Sequence, residues 1–134
     1  MADRVFHHVA LDASDERPEV TEARELLAAK KPEEAVKLLE PVIQGDDVDY
    51  LVFQVLGIAY AQSGNMNAAV GAMESAARMN AAIPYTHYNL GMVLLKTGDL
   101  EGAREAFERS LRVDQTYVRA REALAAMNKA KPAG

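Results

Sequence analysis

Few side chains in this sequence have the chemistry of a reactive centre, and none of them is arranged as one. The histidines are His7, His8 and His87. His7 and His8 are neighbours, and adjacent imidazoles do not converge on one metal ion without further ligands. The pair is therefore read as part of an N-terminal tail, and His87 as a packing or hydrogen-bonded residue. Asp46, Asp47 and Asp49 form an acidic cluster, but it lacks the glycine and the terminal glutamate of a calcium-binding loop. A capped acidic connection is the simpler reading. Ser14, Ser63, Ser75 and Ser110 stand in no nucleophile-elbow motif and have no evident histidine partner. The absence of cysteine removes thiol catalysis, disulfides and cysteine-ligated zinc. The six methionines fall at helical spacing and read as core or groove filler. No catalytic residue, metal or cofactor is expected.

Composition points to helices. Hydrophobic residues make up 49% of the 134 residues but aromatic ones only 6%, and the alanine-rich balance suits closely packed helices. No apolar run approaches a membrane span, so no membrane insertion is expected. The charged start MADRVFHHVALDASDE does not read as a secretory leader, which makes the cytoplasm the expected compartment. Residues 1–67 carry 6 basic against 13 acidic side chains, and residues 68–134 carry 9 against 7. No basic stripe of the kind that holds nucleic acid is present. An acidic beginning and a mildly basic end are compatible with head-to-tail association, although salt screens such charges.

Positioning comes from an internal repeat. Ala23 and Ala35, Gly57 and Ala69, and Gly91 and Ala103 are pairs of small residues 12 apart, and successive pairs are separated by a step of 34. Two helices joined by a tight turn approach closely only where both lack bulk. A period of this length marks a solenoid rather than one irregular core.

The residues in phase with that step resemble the tetratricopeptide repeat. In the third unit they are Leu90-Gly91, Leu94, Gly98-Asp99-Leu100, Ala103, Phe107 and Leu111. In the second they are Phe53, Leu56-Gly57, Tyr60, Gly64, Ala69, Met73 and Ala76. The first unit departs, with Ala23 for the usual glycine and Lys31-Pro32 in place of a Gly-Asp type of turn. The resemblance covers roughly residues 16–130. It implies an all-α, right-handed superhelical solenoid of antiparallel helix pairs, with repeats at about 16–49, 50–83 and 84–117 and a capping helix over 117–129. Residues 1–15 are expected to be a disordered or docking tail, and 131–134 a disordered end.

Within this frame, helices are expected at about Pro18–Ala29, from Pro32 through Ile43, from about Val48 to Gln62, over Met66–Met79, from Pro84 to the Gly98-Asp99 turn, from there to Val113, and over Tyr117–Met127. Pro41 is expected to kink the second helix inside its last turn, and Gly45 to take a left-handed position after it. Gly64 is expected to supply the positive φ between the fourth and third of these segments.

The resemblance also implies that the first helix of each pair lines a concave face where peptides bind. On that face it places Arg24 in the first repeat, Leu51, Gln54, Ile58 and Gln62 in the second, and Tyr85, Tyr88, Asn89, Met92, Leu95 and Lys96 in the third. Tyr85, Tyr88, Met92 and Leu95 lie on one stripe at steps of three or four. The stripe either packs within the fold or faces a partner, and the partner-facing reading is adopted. One branch of the family clamps terminal carboxylates. Its matching positions here hold Val20, Arg24, Val55, Tyr85 and Asn89, so that clamp is not built and an apolar peptide or helix is the better ligand. The expected function is non-catalytic protein–protein interaction, as an adaptor or co-chaperone scaffold. The alternatives are homo-oligomeric self-assembly through the tail or the open repeat ends, and a secretion-type chaperone for an apolar client segment.

Overall fold

A computed structural model of the chain describes residues 16–130. The expectations for residues 1–15, including His7, His8 and tail docking, and for 131–134 lie outside the described residues.

The described residues form seven α-helices and one 3-10 turn, with no strand. They are α1 Pro18–Ala28, α2 Pro32–Leu39, the turn Val42–Gln44, α3 Tyr50–Ser63, α4 Met66–Met79, α5 Pro84–Thr97, α6 Leu100–Val113 and α7 Val118–Ala130. Local chemistry sets most of these boundaries. Pro18, Pro32 and Pro84 sit at helix starts, where a missing N–H costs nothing. Asp49 caps α3 by accepting from the backbone N–H groups of Leu51 and Val52. Asn65 caps α4 through Ala68, and Asp99 caps α6 through Gly102. Each such cap satisfies N–H groups that the first turn leaves open.

Two local expectations are corrected. Pro41 does not kink a continuing helix: α2 ends at Leu39, and Pro41 instead precedes the 3-10 turn. Its ring and missing N–H stop the i to i−4 ladder there. Gly45 is not left-handed, with φ −84°. The left-handed positions are Gly64 at φ 93°, Gly98 at φ 90° and Lys30 at φ 64°. These three stand one repeat apart. All three turns therefore have the same shape, and the first makes it without glycine. The Lys31 N–H closes it on the Leu26 carbonyl at 2.8 Å, as Asn65 does on Tyr60 and Asp99 on Leu94.

The core runs along the stack in three clusters. The first joins Val20, Ala23 and Leu27 of α1 to Ala35 and Leu39 of α2 and to Val52, Val55, Leu56 and Ala59 of α3. The second joins Ala69 and Met73 of α4 to Leu90 and Val93 of α5 and Ala106 of α6. The third joins Ala103 and Phe107 of α6 to Ala120 of α7. Each cluster is shared between one helix pair and the next, as in a stack of units that cannot bury their apolar faces alone. Polar side chains add links. Buried Ser110 donates to the Pro84 carbonyl at 2.8 Å, tying α6 to the start of α5. Tyr60 donates to Glu40 at 2.6 Å, tying α3 to the end of α2. Burial and this bond push the Tyr60 phenol up to about 12.

Candidate functional site

The first helices of the second and third pairs frame a cleft of about 230 Å³. Helix α3 contributes Ile58, Ala61 and Gln62, α4 contributes Met73, and α5 contributes Asn89, Met92, Val93 and Lys96. Ile58, Ala61, Met73, Met92 and Val93 make its surface apolar, and Met73 and Val93 belong to the second core cluster. The polar members are Gln62, Asn89 and Lys96. Gln62 and Lys96 are exposed, whereas the Asn89 Nδ2 is buried with no acceptor in reach. Leaving such a donor unpaired costs about 1–3 kcal/mol, and because Asn89 is only half-buried as a residue, a rotation of its side chain brings the amide to a ligand carbonyl in the cleft.

Five of the eleven sequence-derived site residues meet in this cleft: Ile58, Gln62, Asn89, Met92 and Lys96. The others lie elsewhere. Arg24 is exposed, but its Nε sits 3.2 Å from the Glu16 carboxylate. Leu51 and Tyr85 are half-buried away from the cleft lining. Gln54, expected on an accessible wall, is instead 1% exposed, with both amide atoms unpartnered. Its repeat position is occupied in the third pair by Tyr88, which also packs inward. The Tyr88 ring lies 5.8 Å from Phe107 in a tilted pair and 5.8 Å edge-on to Tyr117, and such pairs reinforce burial. The stripe of Tyr88, Met92 and Leu95 packs against the third cluster. It is therefore divided, with Met92 reaching the cleft as well and Tyr88 serving the core. Burial raises the Tyr117 phenol above its ordinary range; neighbouring Tyr85 and Tyr88 add to this and Arg119 opposes it.

Leu95 opens onto a second cleft with Leu100, Glu101, Arg104, Ala126, Met127 and Ala130, most of which sequence reasoning passed over. The available signal was the same step of 34, which carries Met92 and Lys96 onto Ala126 and Ala130.

His87 is buried at 7% exposure, and its Nε2 lies 2.9 Å from the Ala81 carbonyl. A carbonyl only accepts, so Nε2 carries the proton and the ring serves as a packed, hydrogen-bonded strut. Of the acidic cluster, Asp49 is engaged as a helix cap. Among the described residues no group of three or more His, Asp or Glu side chains is arranged to hold a metal ion. None of their helices is long and apolar enough to cross a membrane.

Paired helices, repeated turns and a core shared between neighbouring pairs define an all-α repeat solenoid. The family model for the tetratricopeptide repeat matches residues 20–82 and 55–118, and the chain belongs to that family. No curated protein matches the sequence. Among solved structures, MamA superimposes with a TM-score of 0.77 at 21% identity, covering 83% of this chain and 65% of the MamA chain. The chain thus spans less than two thirds of that relative's length. The Yersinia enterocolitica type III secretion chaperone SycD, in complex with a peptide of the translocator YopD, gives 0.76 at 20% identity over 85% of this chain and 92% of its own. The second repeat domain of human RPAP3, in complex with an HSP70 peptide, gives 0.76 at 18% identity over 82% and 92%. At these identities the likeness shows the fold: an all-α right-handed superhelix of antiparallel helix pairs.

Proposed function

We propose that this protein is a non-catalytic interaction module that binds an apolar peptide segment of a partner protein in the groove along α3 and α5. The observation that carries this reading is the cleft built from Ile58, Ala61, Met73, Met92 and Val93 with the unpartnered Asn89 amide at its side. It combines an apolar surface with one buried donor for a backbone carbonyl, which is what an extended segment requires. Two structures of the same fold hold peptides, from YopD on SycD and from HSP70 on RPAP3. A terminal-carboxylate clamp is not supported here, since Val20 and Val55 are buried and Arg24 is paired with Glu16. An apolar client of the kind a secretion chaperone carries fits the cleft better than an acidic tail does.

The test is selection of binders from a displayed library of random peptides, followed by fluorescence anisotropy with a selected peptide. Asn89→Ala with Met92→Ala should weaken binding by roughly tenfold or more while leaving the helical circular dichroism intact. Unchanged affinity would place the ligand elsewhere.

A further inference from the structure

We infer that the groove continues by one repeat into a second, larger cleft that receives a bulky apolar side chain of the same peptide. This rests on the groove reading above. The first cleft is lined in part by Ala61, Met92, Val93 and Lys96. The 34-residue step carries these four onto Leu95, Ala126, Met127 and Ala130, and all four line the second cleft. The two clefts thus share these four repeat positions, one between α3 and α5 and the other between α5 and α7, and the second also reaches Leu100, Glu101 and Arg104 of α6.

They differ in size, and the sequence says why. The volume rises from about 230 to about 540 Å³. Where α5 projects Met92 and Lys96, α7 carries Ala126 and Ala130, so two long side chains are missing from the wall. Around the opening, Leu100 stands 57% exposed. Arg104, at the rim, is held by donating to Asn128 at 2.9 Å. The enlarged cleft falls within the range of about 300–1,000 Å³ that ligand pockets occupy, and its apolar lining suits an aromatic or leucine side chain.

The occupant is argued from continuity and charge. Lys96 lines the first cleft and adjoins Leu95 of the second, and it makes no ion pair among the described residues. A carboxylate between two apolar anchors would meet it. Packed helices lie about 8–10 Å apart and an extended chain advances about 3.3 Å per residue, so the anchors stand about three residues apart. The ligand class is an extended segment with a smaller apolar residue, an acidic residue, and a bulky apolar residue about three positions from the first.

The test repeats the displayed-library selection on the wild-type chain and on a variant carrying Ala126→Met with Ala130→Lys, which restores the side chains of the preceding repeat. Methionine and lysine are both good helix formers, only slightly below the alanines they replace, and circular dichroism confirms the fold. The wild type should select the spaced pair with a bulky second anchor. The variant should lose that second preference, keep the first, and bind the wild-type peptide roughly tenfold more weakly. Identical selections would overturn the second cleft while leaving the groove reading intact. No selection by either protein would overturn both. Loss of a dimer in the variant with peptide selection unchanged would show that the cleft seats a second copy, which also overturns the proposal.

Discussion

Gly57 in α3 and Gly91 in α5 occupy the same point of successive helix pairs, yet they face different neighbours. A Cβ added at Gly91 would lie 2.6 Å from the Phe107 ring, whereas one at Gly57 would lie 3.0 Å from the Met73 side chain. Phe107 is fully buried and rigid, so the third pair is sterically locked at its closest approach. Met73 has rotatable bonds with which to yield, so the second pair is closed by an adaptable filler. Met73 also lines the first cleft. The softer contact therefore lies beside the proposed binding surface, and the harder one anchors the stack behind it.

The largest expected effect breaks the locked contact. Gly91→Leu should destabilise by several kcal/mol, and Gly91→Ala by about 1–3 kcal/mol, because overpacking wedges α5 from α6. Gly57→Ala should stay within about 1 kcal/mol of wild type, since improved helix propensity offsets the small shift of Met73. Urea midpoints measure both, and equal losses at the two glycines would erase the distinction. Phe107→Met sharpens the comparison by giving the third pair the filler of the second. In that background the cost of Gly91→Ala should fall by at least about 1 kcal/mol, read from a double-mutant cycle.

A smaller effect concerns the first pair, where Lys30 holds the left-handed turn that Gly64 and Gly98 hold elsewhere. Such a conformation costs a residue with a Cβ about 1–2 kcal/mol, part of which glycine returns through its freer unfolded chain. Lys30→Gly should raise stability by about 0.5–1 kcal/mol in thermal or urea unfolding; a decrease would mean that the lysine is held there by contacts.

The smallest effect lies at the junction of the first and second pairs. The Tyr60 phenol is raised to about 12 from 10.0, so the fold favours its protonated form. Its contribution is complete below pH 10 and is lost as the pH rises through about 12. Urea midpoints at pH 8 and pH 11 should diverge more for the wild type than for Tyr60→Phe.

Much of the helical frame was legible because small residues and turn glycines recur in phase. The helices over Met66–Met79 and from Pro84 to Thr97 lie where the step of 34 puts them. Chemistry that departs from the repeat was harder to read. Lys30 hides its turn because lysine carries no turn signal, and Gly45 misleads because glycine also adopts extended backbone. The site was half legible. A residue's face follows from helical period, which brought Ile58, Asn89 and Met92 together. Whether that face is open depends on what the next helix brings. Tyr117 and Phe107 cover Tyr88, and Gln54 is buried outright. The second cleft arises from Ala126 and Ala130, and small residues announce themselves only by comparison with the larger ones they replace.

The most direct measurement is methyl NMR of the methionines, labelled with carbon-13, during titration with a library-selected peptide. Met73 and Met92 line the first cleft, Met127 lines the second, and exposed Met79 lines neither. The groove account predicts that Met73, Met92 and Met127 shift together with one affinity while Met79 stays in place. Saturable binding that moves Met79 and leaves Met92 unmoved would contradict it.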